Sequence, residues 1–166
     1  MPDYWEISNN SLYLHYKQSC NYYKHDSITN MTTYERLLSH HIKPSVQRMA
    51  ILDYLDNHRT HPTVDEIYMS LSPDMPTLSK TTVYNTLKLF AEQGAATMLT
   101  IDEKNACFDS DLTPHGHFLC KKCGKIFDIP YPVVSDGMEG SCMEGFDVKE
   151  MHFYCKGICK SCKEKL

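Results

Sequence analysis

TVDEIYMSLSPDMPTLSKTTVYNTLKLFAEQGAATMLTI, residues 63–101, carries two helix patterns and the first half of a strand pair, and its punctuation decides the fold class. Thr63 is followed three residues later by Glu66, the spacing at which a hydroxyl and a carboxylate satisfy each other's free backbone N–H groups at a helix start. Val64, Ile67, Tyr68 and Leu71 then recur at i, i+3, i+4 and i+7, so this helix has one apolar face. A second helix is expected from Ser79, with Val83, Leu87 and Phe90 on one stripe and Gly94 as a left-handed stop. Residues 96–101, the polar turn 102–105 and residues 106–108 read as a two-stranded hairpin.

Upstream, Thr32 and Glu35 repeat the capping spacing and predict a short helix over 33–39. Pro44, a good first-turn residue, opens a further helix to about Asn57 that is apolar on much of its circumference and therefore central. Helix, helix, helix, hairpin within residues 44–108 is the order of a winged helix-turn-helix. Downstream of His115 the texture changes to short β-like runs at 118–119, 126–129, 146–148 and 151–154, with a short helix weighed over 133–143. The expected organisation is an N-terminal extension at 1–30, a winged-helix domain at 31–110 and a second small domain at 111–166, with the boundary near 110–114.

The first 30 residues lack a basic start, an apolar core and a small-residue cleavage site, and no apolar run approaches the roughly 18 residues of a membrane span. A cytoplasmic protein with no membrane partner is expected. Its eight cysteines then point to metal, because the cytosol keeps thiols reduced. The net charge of −4 argues against nucleic acid, and residues 31–110 hold 7 Lys and Arg against 10 Asp and Glu. Any phosphate contact must come from local placement of a few cations.

Cys120 and Cys123, then Cys159 and Cys162, form two CxxC pairs. Each such turn aims two sulfurs at one point, so the four thiolates suit a closed tetrahedral zinc site rather than four buried or redox-active thiols. A second constellation comprises Asp109, His115, His117 and Asp128, with His61 far upstream. His115 and His117 are two apart, so on a strand they face one side. A mixed imidazole and carboxylate set suits iron, manganese or zinc, and the same residues would also serve as surface groups beside a zinc domain. On the helix from Ser79, the face opposite the apolar stripe carries Thr81, Tyr84, Asn85 and Lys88, which suits either thymine-methyl, base-edge and phosphate contacts or a solvated side.

HPTVDEIY at 61–68, TTVYNTL at 81–87, Phe108-Asp109 followed by His115-Gly116-His117, and the two CxxC pairs together resemble the ferric uptake regulator family over about residues 33–163. The resemblance implies an α+β protein: an N-terminal winged helix and a C-terminal α/β dimerisation domain with structural Zn2+ on Cys120, Cys123, Cys159 and Cys162. It further implies a homodimeric repressor on double-stranded operator DNA, with Arg48 on phosphate, and a regulatory Fe2+ or Mn2+ on His61, Asp109, His115, His117 and Asp128. Aspartate at both 109 and 128 is similar to the peroxide-responsive branch, in which His61 and His115 are the oxidised ligands; an iron- or zinc-responsive repressor of the same family is the alternative. Pro114 and Gly116 replace the extra His and Asp of many iron sensors, and Met151 stands where a further His is expected, with His152 one residue off. A zinc-dependent hydrolase built on His115 and His117 is the contrasting class, but no HExxH helix or activated nucleophile accompanies them. Cys20, Cys107, Cys142 and Cys155 fit no metal spacing and read as small buried hydrophobes.

Overall fold

The computed structural model describes residues 31–102, 105–130 and 151–165. The expected N-terminal extension, the short helix at 133–143, the strand at 146–148, Cys20 and Cys142 lie outside the described residues.

Among the described residues, four helices form the N-terminal half: α1 (Thr33–Ser39), α2 (Val46–Asn57), α3 (Val64–Leu71) and α4 (Lys80–Glu92). Each starts on a side chain that accepts a backbone N–H: Thr32 from Glu35, Ser45 from Arg48, Thr63 from Glu66 and Ser79 from Thr82. Both threonine starts are complete capping boxes, so two free donors are satisfied reciprocally at each. The expected start of α2 at Pro44 is corrected by two residues, because the Ser45 hydroxyl takes the cap and leaves Pro44 before the helix. Gly94 follows α4 with φ +69, the left-handed turn that the sequence pattern required there.

Leu37 of α1, Ile51, Leu52 and Leu55 of α2, Ile67 of α3, and Val83, Leu87 and Phe90 of α4 join Phe108 in one core. A two-stranded antiparallel pair, β1 (Thr97–Leu99) with β2 (Cys107–Asp109), follows α4 and completes the winged helix. Helical half and wing are tied by the Phe108 N–H donating to the Pro62 carbonyl at 3.0 Å and by a single bridge between Thr63 and Cys107. That contact fixes the chain around His61 against β2.

The described residues of the C-terminal half form a three-stranded sheet in the order β4–β3–β5, with β3 (Gly116–Cys120) central, β4 (Ile126–Ile129) antiparallel to it and β5 (Tyr154–Gly157) parallel. A short helix, α5 (Lys160–Lys163), follows β5. The expected strand at 151–154 is corrected, since pairing begins only at Tyr154, which lies opposite His117. Leu99, Ile101 and Cys107 of the wing pack with Leu119, Ile126 and Tyr154 in a second, smaller cluster, where the two halves meet.

Candidate metal centre

The geometry at the junction of the halves follows from strand register. His115 and His117 lie two apart on the entry to β3 and share a face, and Asp128 of β4 is the cross-strand partner of His117. Asp109 ends β2, and His61 sits in the segment that hydrogen-bonds to β2. One ligand atom from each of the five lies within 4.8 Å of the others. Two come from the helical half and three from the sheet.

The contacts are those of a first coordination sphere. His61 Nε2 stands 2.7 Å from Asp128 Oδ1. His115 Nε2 stands 3.0 Å from Asp109 Oδ2 and 3.0 Å from His117 Nε2. The remaining contacts run from 3.4 Å, between His117 Nε2 and Asp109 Oδ2, to 3.8 Å, between His61 Nε2 and Asp109 Oδ2, so the five donors surround a space of ion size. His115 Nδ1 donates to the Thr113 carbonyl at 2.7 Å, which orients the ring with Nε2 toward the cluster. Three imidazoles and two carboxylates converge there, a donor set that suits a divalent ion.

The surroundings of His61 and Asp109 agree with that fit. Burial holds His61 below the usual histidine range, against the pull of Asp109 and Asp128, and keeps its lone pair free at neutral pH. Burial pushes Asp109 up, but a hydrogen bond from His117, the Asp111 N–H and the nearby His61 and His115 outweigh it, leaving the carboxyl below its usual value. His61 Nδ1 is buried and has no partner among the described residues.

The second cluster joins Cys120 and Cys123, which flank the turn from β3 to β4, with Cys159 and Cys162 at the start of α5. All four are free thiols, with one sulfur from each within 4.8 Å of the rest. Cys123 and Cys159 Sγ are 3.9 Å apart, close to the roughly 3.8 Å edge of a tetrahedron with 2.3 Å zinc–sulfur bonds. The Cys159 N–H donates to Cys120 Sγ and holds that thiol down at about 6, while the hydrogen bond with Cys159 pushes Cys162 up to about 12. Four thiols converging on one point cannot all ionise unaided, and a zinc ion is the charge that lets them.

Thr81, Tyr84, Asn85 and Lys88 are all exposed on α4 as expected. Asn85 and Arg48 also line a cleft of about 360 Å³ with Lys43, Ser45, Gln47 and Thr82, between the start of α2 and α4. Sequence reasoning missed Lys43, Ser45 and Gln47; the signal was the polar Lys-Pro-Ser step leading into a helix start, which patterns of apolar residues do not weigh. Of the remaining cysteines, Cys107 is buried and raised to about 11 by burial, an inert thiol, and Cys155 is half-buried on β5.

The profile of the ferric uptake regulator family matches residues 39–156. The peroxide-responsive repressor PerR of Staphylococcus aureus strain Mu50 is 41% identical over 125 residues, which are 75% of this chain and 84% of that protein. Among solved structures, the ferric uptake regulator of Vibrio cholerae aligns with a TM-score of 0.62 at 22% identity, over 76% of this chain and 98% of that one. The manganese-containing ferric uptake regulator of Pseudomonas aeruginosa aligns with a TM-score of 0.59 at 22% identity, over 78% and 99%.

Proposed function

This chain belongs to the ferric uptake regulator family, and from that premise we propose that it is a metal-dependent transcriptional repressor that releases DNA in response to peroxide. The observation that carries the proposal is the convergence of His61 and Asp109 from the helical half with His115, His117 and Asp128 from the sheet. Residues 31–110 read DNA, residues 111–166 dimerise, and the five ligands clasp one to the other. The cytoplasm, where thiols stay reduced, is its place of work.

Cys120, Cys123, Cys159 and Cys162 would hold Zn2+, which has no redox chemistry and staples α5 to the sheet. His61, Asp109, His115, His117 and Asp128 would hold Fe2+ or Mn2+, and ferrous iron would supply there the reducing equivalents for peroxide. His61 and Asp109, fixed to each other through the pairing of residues 62–63 with β2, draw the helical half to one orientation against β3 and β4. Only a differential affinity for that orientation can shift the population, and about 1.4 kcal/mol of coupling gives a tenfold change in DNA affinity. On α4, Thr81 and Tyr84 offer apolar contact to thymine methyls, Asn85 and Lys88 reach base edges or phosphates, and Arg48 takes a phosphate.

Peroxide sensitivity is tested on iron-loaded and manganese-loaded protein bound to promoter DNA. Mild peroxide should release the iron form and add one oxygen to peptides holding His61 or His115, while the manganese form stays bound. Release accompanied only by cysteine oxidation would refute the sensing route.

A further inference from the structure

Residues 110–114 join Asp109 of the wing to His115 of the sheet and supply no ligand, yet they are tied at every second residue. Asp109 Oδ1 accepts from the Asp111 N–H at 2.9 Å. Asp111 Oδ1 accepts from the Thr113 N–H at 2.9 Å and from the Thr113 hydroxyl at 2.6 Å. The Thr113 carbonyl accepts from His115 Nδ1 at 2.7 Å. Each link spans two residues, so the connection is a run of turns closed by side chains rather than a free linker.

Two arginines fix this run to the helical half. Arg36 of α1, its side chain 12% exposed and paired with Asp56 of α2 at 2.5 Å, donates to the Ser110 carbonyl at 2.9 Å and the Ala95 carbonyl at 3.0 Å. Arg59, two residues before His61, faces Asp111 Oδ2 at 3.3 Å. Asp111 therefore stands at the crossing of both sets of contacts, outside the five-residue cluster.

We propose that Asp111 is a positioning residue of the regulatory centre: by accepting both Thr113 donors it sets the carbonyl that orients His115, so that Nε2 is presented to the metal. The proposal rests on reading the His and Asp cluster as a metal site. Asp111 acts as a hydrogen-bond acceptor in a two-residue turn, and its charge is secondary. An isosteric amide keeps that acceptor; a longer carboxylate keeps the charge and cannot close the turn.

The test is Mn2+ affinity and the visible spectrum of bound Co2+, measured on the full zinc-loaded chain with zinc content and melting temperature followed in parallel. His117→Ala should abolish binding; wild-type binding in that variant overturns the metal-site reading and the proposal with it. With that control in place, Asp111→Ala should weaken Mn2+ binding by roughly 10- to 100-fold, the range for lost partners of metal-bound histidine, and alter the Co2+ spectrum while zinc is retained. Asp111→Asn should keep wild-type affinity and spectrum. Asp111→Glu, the mildest change for folding, should be as weak as Asp111→Ala and decides the matter if that variant loses its zinc. Wild-type affinity in Asp111→Glu, or equal weakness in Asp111→Asn and Asp111→Ala, overturns the proposal.

Discussion

His61 carries the least comfortable backbone among the proposed ligands. Its φ is +56 in a residue that precedes proline, and its ring is buried with Nδ1 unpartnered among the described residues. A left-handed non-glycine residue costs roughly 1–2 kcal/mol, so the position is maintained by its surroundings, here the pairing of residues 62–63 with β2. His61→Ala should lose Mn2+ binding by tenfold or more in calorimetric titration and keep its zinc; unchanged affinity would remove His61 from the site. Gly116, between His115 and His117, is constrained by space instead. A Cβ there would stand 2.6 Å from the Phe153 ring, 3.1 Å from Ile129 Cγ1 and 3.2 Å from the Phe153 carbonyl oxygen. Gly116→Ala should destabilise the sheet by about 1–3 kcal/mol, the usual cost of overpacking, and a thermal melt coincident with wild type would contradict that.

At the scale of elements, helices were legible because their signals are local. The capping pairs Thr32 with Glu35 and Thr63 with Glu66, and the Val83, Leu87 and Phe90 stripe, lie within a few residues of what they specify. Strand β5 was misplaced because its start is set by parallel pairing with β3, a partner some 35 residues away whose register no local pattern records. The CxxC pairs were legible for the same reason as the caps, whereas the roles of Arg36 and Asp111 depend on contacts across the fold. For α4, Tyr84 is 50% exposed and outside the buried core, so Tyr84→Ala should leave the protein folded and weaken operator binding by about 1–3 kcal/mol. Full operator affinity in the folded variant would take Tyr84 out of the interface.

At the scale of the molecule, the described helical half and sheet meet at a cluster of Leu99, Ile101, Cys107, Leu119, Ile126 and Tyr154. Stability of the sheet is expected to depend on the four thiolates, because the three strands and one-turn helix among the described residues bury little on their own. Cys123→Ser should give zinc-free protein whose C-terminal half is unfolded or monomeric by sedimentation, and a stable zinc-free dimer would contradict the role of the staple. The family resemblance implied a ligand set spanning the chain; the fold places Asp109 with His61, so that a metal held by the five would clasp two residues of the helical half to three of the sheet. If that clasp governs DNA reading, operator affinity of the zinc-loaded chain, measured by fluorescence anisotropy across a Mn2+ titration, should tighten tenfold or more as the site fills. Equal affinity with and without Mn2+, in protein shown to bind the ion, would contradict the account.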